Sequence, residues 1–339
     1  MFSFAAWLDL PLIWGGIIAL AVFLYVLLDG FDLGVGILFP FAPTDDCRNK
    51  LMNSVAPFWD GNETWLVLGG GGLLAAFPVA YAVIMPALYI PIIFMLIALI
   101  FRGVAFEFRF KASLKVRPLW DGAFHFGSLF AALFQGIILG SLVEGLQVTD
   151  KQFAGGHWDW VAAFPILTGI ALVSGYSLLG ATWLILKTTG ETQRWARECA
   201  AYALIYVVGF VGLVSIWMLF GHDAILARWF SWPNVAWLIP LPLGVLVLGI
   251  LLAKWIQNGR ELAPFLSVLG LFALNYIGLA ISLWPWIVPY QVSLWDAAAA
   301  DESLSLLLIG AVIMLPTILG YTAYSYYIFR GKTDSTHNY

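Results

Sequence analysis

Four carboxylates stand in a part of the chain where almost everything around them is apolar. Asp29 and Asp32, in "LLDGFDLGVG", are three residues apart and share one face of a helix. Asp60 and Glu63, with Thr64, repeat that spacing inside "NSVAPFWDGNETWLVLGGGG", residues 53–72. A charge at the centre of a membrane helix costs about 2.5 to 3.5 kcal/mol on insertion scales, so acids in such places mark ion pathways by default. Carboxylates held close together and away from water form the arrangement that takes up and passes protons. The competing explanation is a buried ion-pair network that only fixes helix packing.

The elements that carry these acids are membrane helices. The 339-residue chain is 62% hydrophobic and 11% charged, against about 25% charged in an ordinary soluble domain. Its apolar stretches recur at lengths of about 20 residues, enough to cross roughly 30 Å of hydrocarbon as a helix, and they lack the short alternating pattern of a β-barrel. The expected fold is an all-α integral membrane protein forming one polytopic domain, residues 1–339. Nine helices are expected, at about 10–40, 54–76, 78–101, 120–143, 161–186, 199–220, 235–253, 264–286 and 303–329. The first has no Lys or Arg before it, only Asp9, and reads as a retained helix and not a cleaved signal.

Positive charge tests the count. With nine helices, every Lys and Arg of the 16 except Lys151 and Arg228 falls on one side of the membrane, as cytoplasmic loops require. Removing the second helix moves Arg48 and Lys50 to the opposite side from the rest. The same pattern places the N-terminus in the periplasm and the C-terminus in the cytoplasm of a bacterial inner membrane. Asp32 then lies about 12 Å from the cytoplasmic end of its helix, and Asp60 about 9 Å along the returning one, at roughly 1.5 Å per residue. Adjacent antiparallel helices would bring Asp29, Asp32, Asp60 and Glu63 into one polar pocket open to the cytoplasm. Arg102, at the inner end of the third helix, is the expected counter-ion.

Other features carry less. Gly30, Gly34 and Gly36, and the run Gly69–Gly72, are places where backbones can meet closely. Cys47 and Cys199 are isolated, with no metal spacing, and no metal site is expected. His157 and His222 fall in outer loops and His337 in the tail, which leaves only His125 within a helix and no pair to clamp a haem. The net charge of −4 and the lack of a basic run exclude a nucleic-acid partner. No nucleotide or nucleophile motif occurs, so no catalytic residue is expected in this chain.

The sequence resembles the second subunit of bd-type quinol oxidases, including the cyanide-insensitive branch. The similarity lies in "LDGFDLGVGIL" (28–38), "NSVAPFWDGNETWL" (53–66), "FPVAYA" (77–82), "FRGVAFEFR" (101–109) and "VSLWDAAAADESL" (292–304), spread in family order over nearly the whole chain. The resemblance implies two four-helix bundles plus one peripheral helix, paired with a larger subunit I that holds haems b558, b595 and d. It implies a complex that oxidises a quinol such as ubiquinol, reduces O2 to water without pumping, and takes its protons from the cytoplasm. It also implies lipid and a small single-helix subunit as further partners. Carried onto matching positions, Asp60 corresponds to a carboxylate of the cytoplasmic proton pathway, with Asp29 and Asp32 nearby. Trp59 and Arg102 correspond to positions near a structural quinone pocket, and Glu63 and Glu107 to variable positions. From the residues alone, a proton-coupled secondary transporter and a purely structural scaffold remain as rivals.

Overall fold

A computed structural model of the chain describes residues 8–333; His337 lies outside them. Among the described residues, eight helices are long and apolar enough to cross a membrane. In chain order the helices are α1 (Leu10–Leu38), α2 (Asp45–Val55), α3 (Trp59–Ala76), α4 (Pro78–Arg109), α5 (Arg117–Glu144), α6 (Ala163–Lys187) and α7 (Gly190–Gly221). There follow α8 (Asp223–Phe230), α9 (Asn234–Leu238), α10 (Pro240–Gln257), α11 (Leu262–Leu283), α12 (Leu294–Ala297) and α13 (Asp301–Ile328). Two small antiparallel hairpins interrupt them: β1 (Val148–Thr149) with β2 (Gln152–Phe153), and β3 (Trp286–Val288) with β4 (Val292–Ser293).

Local chemistry sets the helix ends near the site. The Asp9 carboxylate accepts the Leu12 N–H at 3.0 Å and, with Pro11 in the first turn, starts α1. Thr44 caps α2 in the same way through the Cys47 N–H at 3.2 Å, followed by Asp45 and Asp46 at the positive end of the helix dipole. The expected single helix over 54–76 is divided. Pro57 lacks an N–H to extend the α2 ladder, and Phe58 leaves helical geometry (φ −121°, ψ −31°), so residues 56–58 turn and α3 starts at Trp59. The third helix is longer than expected and runs on to Arg109. Pro91 has no N–H to offer the preceding turn, and α4 kinks at Leu88 (φ −119°, ψ 15°) without ending.

α3 is too polar in its first two turns to count as a span by apolarity, yet it joins the two ends of the molecule. At its start the Phe58 ring stacks on Tyr326 at 4.4 Å and meets Phe329 at 6.0 Å, at the close of α13. At its finish the Ala76 carbonyl accepts the Ala299 N–H at 2.9 Å, just before α13 begins. Eighteen residues of helix reach about 27 Å at 1.5 Å per residue. Among the described residues α3 is therefore a ninth helix long enough to cross.

The nine long helices pack as two closed rings. α1, α3, α4 and α5 form one four-helix bundle, α6, α7, α10 and α11 the other, and α13 lies outside against α1 and α3. The bundles join where α6 meets α1 and α5. At Gly34 a Cβ would sit 1.8 Å from the Tyr176 carbonyl oxygen, and one at Gly180 would sit 2.4 Å from the Gly34 carbonyl carbon, so α1 and α6 touch backbone to backbone. Gly70 and Gly71, by contrast, have nothing within 4 Å of a built Cβ.

Hydrogen bonds gather the basic loops at one end. Asn49 accepts from Arg109 and Arg117, each at 2.8 Å, and the Arg260 carbonyl accepts from Arg197 at 2.8 Å. Lys332 pairs with Glu261 at 2.8 Å; that bond and one from Gln193 hold the Glu261 carboxyl below its ordinary range. Lys151, in the β1–β2 turn, and Arg228, bonded to the Ile281 carbonyl at 2.6 Å, lie at the opposite end. Gly34→Ala should lower the stability of the purified protein by about 2 kcal/mol or more through overpacking. Gly71→Ala should leave it unchanged or slightly raised; thermal unfolding of both variants in detergent is the check, and equal melting points would contradict the contact.

Candidate functional site

The acids of α1 and α3 converge on Arg102 of α4. Its guanidinium donates to Asp29 Oδ1 through Nη1 at 2.6 Å and to Glu63 Oε1 through Nη2. Arg102, Asp29 and Asp32 are each 0% exposed, whereas the Glu63 side chain keeps 27% of its surface open. Because α4 continues two turns past Arg102, this side chain lies inside the bundle and not at the helix end expected from the sequence. Trp59 walls the cluster: its ring lies parallel to Phe106 at 5.0 Å, with the Arg102 guanidinium 5.9 Å from its centroid.

Asp32 is held separately. Asn62 donates from Nδ2 to Asp32 Oδ2 at 2.7 Å and to the Leu28 carbonyl at 3.1 Å, while its Oδ1 accepts from the Tyr326 hydroxyl at 3.0 Å. One amide thus ties α3 to α1 and to α13. A third set lies deeper. The Tyr176 hydroxyl donates to Gln135 Oε1 at 2.8 Å, and Gln135 Nε2 donates to the Tyr25 hydroxyl at 2.6 Å. Tyr25 sits one turn before Asp29 and interacts with it. Polar side chains therefore follow one another from Glu63 through Arg102, Asp29, Tyr25 and Gln135 to Tyr176, at the contact between the two bundles.

Asp60 is placed differently from its neighbours. The turn at 56–58 puts it in the first turn of α3 on the exposed face, where its charge reaches Glu63 but its side chain stays outside the cluster. Asn62, one of the residues that face inward, had a readable signal: it stands between two candidate acids. Tyr25 is four residues before Asp29, the spacing of a shared helix face. Gln135 and Tyr176 are isolated polar groups in apolar helices, and Tyr326 is 264 positions from its partner. A further ionic group escaped sequence reasoning: Arg109 of α4 bonds Asp121 of α5 and Asn49 of α2 at the basic end. Glu107, flagged from the resemblance, is an exposed partner of Lys111 at 3.2 Å.

Among the described residues each histidine meets a different neighbour. His125 Nδ1 lies 3.2 Å from the Gly36 carbonyl, His157 packs against Tyr89 and His222 against Tyr290. No group of three His, Cys, Asp or Glu among the described residues could hold a metal ion.

A buried ion pair broken on one side leaves an uncompensated charge, at a cost of about 3 to 5 kcal/mol. Arg102→Gln should therefore destabilise the protein by that order, and Arg102→Gln combined with Asp29→Asn should recover part of the loss. Melting temperatures of the two variants and the parent test the pairing; a double variant no better than the single would disprove it.

Residues 10–329 match the family model described as cytochrome bd terminal oxidase subunit II. The chain is 29% identical over 361 residues to the cytochrome bd-I ubiquinol oxidase subunit 2 of Escherichia coli K12, covering 95% of each chain. It is 31% identical over 331 residues to the cytochrome bd ubiquinol oxidase subunit 2 of Bacillus subtilis, covering 95% of this chain and 96% of that one. In fold it is similar to a chain of the bd oxidase from Geobacillus thermodenitrificans, with a TM-score of 0.76 and 18% identity over 95% of this chain and 99% of that chain. Together with the two bundles and the peripheral α13, these matches place the chain in the cytochrome bd terminal oxidase subunit II family, as one subunit of a membrane oxidase complex.

Proposed function

We propose that this chain steadies the haem-bearing subunit I of a bacterial quinol:O2 oxidase and carries protons from the cytoplasm toward it. The reading rests chiefly on one observation. Two carboxyl groups, Asp29 and Glu63, pair with a single guanidinium, Arg102, inside a helix bundle, and a third, Asp32, is fully buried one turn from Asp29 on α1. A low-dielectric interior does not hold two uncompensated negative charges, so protons shared among the carboxyls supply the balance. Such a cluster exchanges protons as part of its ordinary state.

The direction follows from the basic end of the molecule, taken as cytoplasmic. Asp60 receives protons at the exposed start of α3 and Glu63, half inside, relays them. Asp29, Tyr25 and Gln135 continue the line toward the bundle contact. Arg102 serves as the counter-ion of the cluster, its Nη groups donating to Asp29 and Glu63. Haems b558, b595 and d, on subunit I, supply the electron transfer and O2 reduction; this chain contributes no ligand to them. The names of the relatives point to ubiquinol as the electron donor.

In the assembled complex, Asp60→Asn and Glu63→Gln should each cut quinol-dependent O2 uptake by about tenfold or more, the scale of a lost proton-transfer group. Their reduced-minus-oxidised haem spectra should match the parent. Unchanged turnover in both would leave only the scaffold role. Solute uptake into liposomes by this chain without a partner would instead favour a transporter.

A further inference from the structure

A second polar site lies at the basic end, away from the carboxylate cluster. Lys187, the last residue of α6, is only 4% exposed. Its ammonium donates to the Phe329 carbonyl and rests 5.7 Å from the Phe58 ring centre and 5.4 Å from that of Trp183. No carboxylate among the described residues pairs with it. The charge that acts on it belongs to Lys332, of the same sign. An ammonium has three donors, and the carbonyl takes one.

Lys187 and Lys332 both line a cavity of about 330 Å³ whose walls also include Asn53, Ser54, Phe58 and Thr333. The segment after α13 closes one side of it, held by the Thr333 N–H donating to the Lys187 carbonyl at 2.7 Å and by Lys332 bonding the Thr188 carbonyl at 3.1 Å. Glu261 pairs with Lys332 from outside the lining. The cavity thus holds two cations, polar hydroxyl and amide groups, and no acid. The negative end of the α6 dipole offsets only part of the charge on a buried ammonium.

We propose that this cavity binds a phosphate-type oxyanion, with Lys187 as the buried anchor and Lys332 at the mouth. Tetrahedral oxyanions accept several charge-assisted hydrogen bonds at once, which suits an ammonium with free donors beside a second one. The site lies where helix ends meet the basic loops, so its source is either the headgroup of a membrane phospholipid or free phosphate from the aqueous side. It stands independently of the proton-pathway reading.

The test uses the intact, delipidated complex in detergent with two probes, phosphatidylglycerol followed by native mass spectrometry and labelled inorganic phosphate followed by equilibrium dialysis. One of them should bind, and the one that does identifies the source. Lys187→Met should weaken that binding by about tenfold or more, the loss of one hydrogen bond to a charged group. Lys332→Gln should weaken it, and Glu261→Gln, which releases Lys332 from its partner, should tighten it by about threefold. If Lys187→Met fails to assemble, the opposite signs of the Lys332 and Glu261 variants decide. Binding of neither probe, or binding that these substitutions do not move, overturns the proposal.

Discussion

A guanidinium cannot be left without a partner inside a membrane protein, and much of the first bundle is arranged around that constraint. Arg102 is completely buried on α4, and the groups that receive its Nη protons come from α1 and α3. Their approach sets the separation of three helices at one depth. A hydrophobic replacement of such a pair can be as stable as the pair itself. Packing alone therefore does not require these charges, and their presence calls for a role that apolar side chains cannot fill.

The second constraint is the close contact of α1 with α6. Bringing Gly34 against the Tyr176 carbonyl lets two bundles share one seam, and the Tyr176 side chain, carried by that same turn, reaches Gln135 of α5. Close backbone approach and the deep polar chain are consequences of one local geometry. α13 contributes differently. Most of its surface is exposed, yet it is tied near one end by Leu304, whose carbonyl accepts from Trp14 at 3.0 Å, and near the other by Tyr326 on Asn62. An outer helix thereby controls the amide that holds Asp32.

Legibility followed the range of the interaction. Asp29 and Asp32 share a face because three residues make nearly one turn, and that much is local. The ninth crossing was legible through Arg48 and Lys50, whose sidedness depends on α3, although the apolarity of α3 is too low to reveal it. Asp60 was grouped with the other acids by its depth along the helix, which says nothing about the face it occupies. Asn62, two residues on and therefore on the opposite side of α3, faces Asp32 while Asp60 faces outward. Arg102 was set at a helix end because the loop charges that follow it hide two further turns of α4. Gln135 and Tyr326 find their partners only through tertiary packing, which no spacing along the chain encodes.

The exposed position of Asp60 bears on how the cluster communicates with its surroundings. Arg102 and Asp29 are sealed, so in the proposed pathway protons from water enter through a group in contact with both environments. Glu63 is the member of the cluster with open surface, and Asp60, one turn before it on α3, adds negative charge at its approach. Glu63 can exchange a proton without leaving Arg102 bare, because Asp29 stays paired with it. On that proposal, paired acids within and an exposed acid at the threshold let one short helix turn combine stability with exchange.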